Sequence, residues 1–214
     1  MEKLRTEFQK KAGIPVESIV SSSGKLTTQI QQGAPFDVFL SADMSYPETL
    51  YKEGLTQSAP AIYAYGTLVL WTTGKWPLAN DLKVLQNPVV RHIAIANPAK
   101  APYGEAAESV LKKANMLEAI RSKIVYGESI SQVNQYILSG SAEMGFTAKS
   151  VVLDSTLNNR GRWIELPNRS YSPIAQGVVV LKRTTQSKAA QQFVQFLRSS
   201  TARRILQKYG YRLP

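Results

Sequence analysis

The sequence contains no cysteine, and this one absence removes disulfide frameworks, thiolate nucleophiles and cysteine-ligated zinc together. Histidine occurs once, as His92, which leaves little from which to build a conventional zinc site or a Ser-His-Asp triad. His92 heads the alternating stretch Arg91 to Asn97 and reads as a surface residue at the end of a strand. No apolar run approaches the ~20 residues that cross a bilayer. No internal repeat or low-complexity linker is visible. No basic-then-apolar leader opens the chain, which fits a mature protein, a trimmed one or a cytoplasmic one alike.

What is present is room and positive charge. The 214 residues suffice for one large domain or two small α/β lobes, each burying its own core. A formal charge of +11 attracts anions over the whole surface. The lysines and arginines are scattered, with only short pairs such as Lys112-Lys113, Lys182-Arg183 and Arg203-Arg204. A compact nucleic-acid footprint is therefore absent, and nucleic acid is not expected as a partner.

Along the chain, Leu4 and Phe8 at helical spacing predict a helix over Glu2 to Ala12, stopped by Gly13. Ile14 to Val20 alternates and reads as a strand ending at the serine run. Leu26 and Ile30 mark a helix closed by Gly33, and Phe36 to Leu40 reads as a strand buried on both faces. A helix is expected from Asp43, a good N-cap residue, to Gly54. Ala61 to Thr73 is a long apolar segment able to cross between lobes as one strand. The same grammar then repeats: a helix near Asp81 to Gln86, a strand Ile93 to Ala96, a loop Asn97 to Gly104 and a helix Glu105 to Ala114. A strand Lys123 to Tyr126, a helix Ile130 to Ser139 and a strand Met144 to Phe146 follow. Pro173 to Leu181 is a second long strand, and helices Gln186 to Arg198 and Thr201 to Tyr209 end at Gly210.

Strands alternating with helices predict an α/β fold with mainly parallel sheets. Two long apolar strands bracketing a middle segment predict two Rossmann-like lobes joined by two crossing strands, with a cleft between them. The lobes are expected at 1–65 with 172–214, and at 66–171. A single open sheet is the alternative.

In open α/β sheets ligands bind beyond the carboxyl ends of strands, where loops enter helices. Ser21-Ser22-Ser23-Gly24, Pro102-Tyr103-Gly104 and Gly127-Glu128-Ser129-Ile130 all have that position. Helix N-termini suit anions, because the first-turn N–H groups lack internal partners and the dipole adds about half a positive charge. Each turn also has a structural explanation, since serine and glycine ahead of a helix serve as caps. Lys25 is the only cation adjoining these turns, so recognition by neutral dipoles is expected. A pocket of donors alone selects an unprotonated tetrahedral dianion, which accepts in every direction.

These residues resemble the periplasmic molybdate- and tungstate-binding proteins of ABC transporters, whose architecture is the type II periplasmic-binding-protein fold. The similarity is carried by Ser21-Ser22-Ser23-Gly24-Lys25-Leu26 and by Gln29 through Asp43. It is supported by Asn97-Pro98, Ala101 to Gly104, Gly127-Glu128-Ser129, Gly140 to Phe146 and Tyr209-Gly210-Tyr211. The resemblance implies oxyanion-binding residues Ser22, Ser23, Tyr103, Gly104, Ser129 and Ile130, with Ser23 giving its hydroxyl and Ile130 its backbone N–H. Tyr103 matches a branch of the family that uses a tyrosine there; other members place one where this chain has Ala148, and Tyr171 is not expected to touch ligand. No cofactor and no metal held directly by side chains are implied, the metal arriving as its oxyanion. The implied partner is a membrane permease, and the implied location is the periplasm, or the cell exterior on a membrane anchor.

One feature departs from the family, whose members open with a strand and a donor-bearing turn ahead of the first helix. This sequence opens inside the helix, so the first strand is expected to be missing and oxyanion binding weak or absent; a monomer is expected, with pairing to another chain as the way the gap is filled. Sulfate, phosphate and ferric iron are alternative ligands for the same architecture, although the ten tyrosines show no adjacent pair that would suggest an iron site. As an enzyme the chain would rely on Asp37 and Asp43, which read better as a strand-end support and a helix cap. A sensing domain of a transcriptional regulator would need an attached DNA-binding unit.

Overall fold

A computed structural model describes residues 1–79, 82–157 and 160–214. In chain order its elements begin with α1 (Glu2–Ala12), α2 (Ser23–Gln31), β1 (Val38–Leu40), α3 (Ser45–Lys52), β2 (Ala61–Gly66) and β3 (Leu68–Thr72). There follow β4 (Ile93–Ala96), α4 (Pro102–Lys113), α5 (Leu117–Ile120), β5 (Ile124–Gly127), α6 (Ile130–Ser139), β6 (Met144–Ala148) and α7 (Lys149–Val152). The chain closes with β7 (Arg162–Glu165), β8 (Ile174–Val180), α8 (Ser187–Leu197) and α9 (Ser200–Lys208). Gly13 and Gly140 end α1 and α6 in the left-handed region, at φ 68° and 75°, where a Cβ would be strained.

The chain divides into two units, Met1–Tyr65 with Ala175–Pro214, and Gly66–Ile174. It passes from one to the other twice, within β2 and at the start of β8. The second passage falls after Ile174, where the sequence reading set it after Tyr171.

Unit 1 holds a sheet in the order β1-β8-β2. Its core joins Leu4 and Phe8 of α1 to Phe193, Phe196 and Leu197 of α8 and to Ala202 and Leu206 of α9. Phe8 meets Phe193 edge-on at 5.1 Å between ring centroids, a geometry in which the positive ring edge faces the negative face. The Tyr63 hydroxyl donates to Gln176 Oε1 at 3.1 Å and ties β2 to β8; burial pushes that phenol far above its usual range, with Tyr211 adding to the rise.

Unit 2 holds a sheet in the order β5-β4-β6-β3-β7. β4 runs parallel to β5 and β6, whereas β3 runs antiparallel to β6 and β7. The expectation of mainly parallel sheets is therefore corrected: the helical crossovers bring β4, β5 and β6 together in parallel, and β3 enters from unit 1 in the opposite direction. Strand β7 carried no strong apolar pattern and was not anticipated.

Further differences have physical reasons. Residues 13–22 form no strand; Ile14 and Val16 pack on the unit 1 core, while Ile19 and Val20 are 54% and 82% exposed. Alternation supplies a buried face, but a strand also needs a ladder partner. β1 lies at the edge of its sheet, and both its faces are covered as expected, Phe39 buried in one core while Val38 and Leu40 pack partly buried against another. The run Ala61 to Thr73 is two strands in two sheets, parted at Thr67. Pro102 to Gly104 is the first turn of α4, not loop. Of the expected helix near Asp81, residue 81 lies outside the described residues and Lys83–Gln86 is a short 3-10 turn.

At the entry to unit 2 the buried Tyr171 hydroxyl accepts the Leu68 N–H at 3.1 Å and donates to Asn168 Oδ1 at 2.8 Å. Tyr171→Phe keeps the ring but leaves that amide without this acceptor, an expected loss of about 1–2 kcal/mol. Urea denaturation is expected to show a lower midpoint with an unchanged slope.

Candidate functional site

In unit 1 the candidate donors gather where α2 begins. Ser22 is the N-cap, and its Oγ accepts the Lys25 N–H at 3.3 Å. Ser23 is the first helical residue, and its Oγ accepts the Ala42 N–H at 3.1 Å from the loop that follows β1. This bond leaves the Ser23 hydroxyl proton for another acceptor, because a hydroxyl donates once while accepting elsewhere. The N–H groups of Ser23 and Gly24 have no acceptor among the described residues, as the first turn of a helix requires. The neighbouring loop is fixed by Asp43, whose Oδ1 accepts from Ser45 Oγ at 2.7 Å and from the Tyr46 N–H at 3.2 Å. Asp43 thus holds the start of α3 from outside the helix, whose N-cap position is Met44.

In unit 2 the remaining candidates lie along one sheet edge. β4 leads into α4 and the parallel neighbour β5 leads into α6, so both helices begin beyond the carboxyl ends of adjacent strands. The Asn97 N–H donates to Gly127 O at 2.7 Å and joins the two strand ends. Ser129 is the N-cap of α6, its Oγ accepting the Gln132 N–H at 3.4 Å, while Gln132 Oε1 accepts the Glu128 N–H at 2.7 Å. The Ile130 N–H, next in the chain, has no acceptor among the described residues.

Tyr103 and Gly104 sit in the first turn of α4 in a different manner. The Tyr103 side chain is 5% exposed and belongs to the unit 2 core with Ala106, Ala107 and Val110. The Gly104 N–H donates to Ala101 O at 2.8 Å. A Cβ on Gly104 would stand 2.0 Å from Ala96 O and 3.0 Å from Asn97 C. The close approach that demands glycine is therefore to the end of β4, which lets the first turn of α4 rest on the strand.

The structure thus brings Ser22 and Ser23 together in unit 1, and Tyr103, Gly104, Ser129 and Ile130 along one edge of unit 2. A family model for bacterial extracellular solute-binding proteins matches residues 1–212. The chain belongs to this family. It is 40% identical over 215 residues to the molybdate-binding protein ModA of Azotobacter vinelandii, covering 100% of this chain and 85% of that protein. It is 39% identical over 205 residues to the ModA of Rhodobacter capsulatus, covering 95% and 80%. The solved structure of the periplasmic molybdate-binding protein of Azotobacter vinelandii superposes with a TM-score of 0.91 at 36% identity, covering 100% of this chain and 94% of that one.

In this solute-binding protein, Ala42 is the site neighbour that sequence reasoning missed. Its signal was its place just past a strand end, the same position that singled out the three turns. Among the described residues no three acidic or histidine side chains come together as a metal site, and no helix is long and apolar enough to cross a membrane. Asp37, the other carboxylate weighed for catalysis, is bonded by the Thr184 hydroxyl and caps a strand end in unit 1.

Proposed function

We propose that this protein binds molybdate or tungstate and delivers the anion to the membrane permease of an ABC transporter, without turnover of its ligand and without a cofactor. The observation that carries this reading is the first turn of α2: Ser23 offers a hydroxyl proton and an N–H, and Gly24 a second N–H, none of them used among the described residues. Such neutral donors at a helix mouth stabilise a dianion without a salt bridge. The relatives named as molybdate-binding proteins add the identity of the anion.

The proposed ligand-binding residues are Ser22, Ser23, Tyr103, Gly104, Ser129 and Ile130. Their roles differ. Ser23 and Ile130 donate, Ser22 and Ser129 hold the helix ends from which donors project, and Tyr103 with Gly104 seats the first turn of α4 on β4. The proposed setting is the bacterial envelope, in the periplasm or on an external membrane anchor. The proposed working form is a monomer; the stretch 14–20, extended and outside any ladder, is where pairing with a second chain is expected if it occurs.

A thermal-shift series tests the reading, since a ligand at 100 times its Kd stabilises the folded state by about 2.7 kcal/mol. Molybdate and tungstate are expected to raise Tm at concentrations where sulfate, phosphate and ferric iron leave it unmoved. A larger shift from sulfate or phosphate, or a coloured complex with iron, assigns a different ligand. No shift from any anion removes the oxyanion reading altogether.

A further inference from the structure

We infer that Tyr46 is a further affinity-determining residue of the oxyanion site, its phenolic hydroxyl donating to the anion held at the first turn of α2. The inference rests on the oxyanion reading and extends it to a residue on α3.

Three observations meet at this side chain. Its ring is anchored, packing with Leu26, Phe36 and Leu55 against the buried Ile30, Phe39 and Leu50. Its backbone is anchored as well, through the 3.2 Å bond from its N–H to Asp43 Oδ1. The free end of the ring lies over Gly24: a Cβ there would stand 3.0 Å from Oη and 3.4 Å from Cζ. A side chain at that position would push the phenol away, so glycine in the second helical position of α2 serves the approach of Tyr46.

The Tyr46 hydroxyl makes no hydrogen bond among the described residues, although the ring beneath it is held in place. It stands over Gly24, whose N–H, like that of the preceding Ser23, has no acceptor among the described residues. An acceptor from outside that serves these two amides therefore comes within reach of a rigidly presented O–H. The Ala42 N–H on Ser23 Oγ keeps the α2 turn and the loop ahead of α3 in fixed relation, so the donor is positioned before ligand arrives.

Tyr46→Phe removes the oxygen and keeps the ring that packs the core. Equilibrium titrations with sodium molybdate are expected to show at least about a tenfold weaker Kd, because a donor to a charged acceptor is lost, while Tm without anion stays near that of the parent. Gly24→Ala, which crowds the phenol by a few tenths of an ångström, is expected to weaken binding by a smaller factor. An unchanged Kd in Tyr46→Phe overturns the inference. If Ser23→Ala weakens molybdate binding while Tyr46→Phe does not, the oxyanion reading stands and Tyr46 is excluded. If the parent chain binds no oxyanion, both fall together.

Discussion

Alanine at Gly104 is expected to destabilise the protein by about 3 kcal/mol, near the upper end of what a small overpacking change costs. The added methyl would stand 2.0 Å from the carbonyl oxygen of Ala96 and 2.7 Å from its carbon, and these are backbone atoms that no rotamer change moves. The conflict is relieved only if the first turn of α4 lifts from the end of β4. Lifting it loosens Tyr103, Ala106 and Ala107, all buried in the largest core of unit 2, so dispersion contacts are lost along with the strain. Urea denaturation is expected to show the loss directly. Binding of molybdate is expected to weaken too, because the start of α4 is among the proposed ligand-binding segments. A Gly104→Ala protein as stable as the parent would show that α4 does not rest on the strand as described.

Ser23→Ala is expected to weaken molybdate binding by about 10- to 100-fold, which corresponds to roughly 1.5–3 kcal/mol for one hydrogen bond to a charged group. Two effects add here. The anion loses the hydroxyl proton, and the Ala42 N–H loses its acceptor, so the adjacent loop relaxes as well. Ser22→Ala, which removes only the cap on the Lys25 N–H, is expected to cost less, about 1 kcal/mol of helix stability. Titration of both variants with molybdate separates the roles. Equal losses would mean that Ser23 acts as a helix cap and not as a ligand donor, and an unchanged Ser23→Ala affinity would take the serine run out of the site.

The parts of the fold that were legible in the sequence are those decided locally. Gly13, Gly33, Gly140 and Gly210 have positive φ close behind helices, and a glycine behind a helical apolar pattern is a local signal. The serine run and Ser129 announced the starts of α2 and α6 because capping depends on a residue and its next three neighbours. What partners a strand is not local. Ala61 to Thr73 is apolar throughout, and nothing in such a run says that Thr67 divides strands belonging to different sheets. Ile14 to Val20 alternates as a strand does, yet it has no ladder. The direction of β3 against β6 follows from where the chain enters unit 2, which periodicity does not encode.

The candidate site shows the same division. Ser22, Ser23, Ser129 and Ile130 were readable as helix starts. Ala42 offered only its place past a strand end, since its role comes from a bond to a residue nineteen positions earlier, and Tyr46 offered no signal because its hydroxyl meets Gly24 only after α2 and α3 have packed. Gly104 was readable as part of a turn entering a helix, but its close approach to Ala96 is a tertiary fact.

The strand order of unit 1 also sets a timetable for synthesis. β8 is the middle strand between β1 and β2, and it leaves the ribosome only after all of Gly66–Ile174 has been made. Unit 2 is one uninterrupted stretch and is expected to acquire its structure on the nascent chain, while the amino-terminal elements wait with their apolar faces uncovered. Closing so long a loop is entropically slow, so ribosome-bound intermediates are expected to protect the middle of the polypeptide from protease before its beginning.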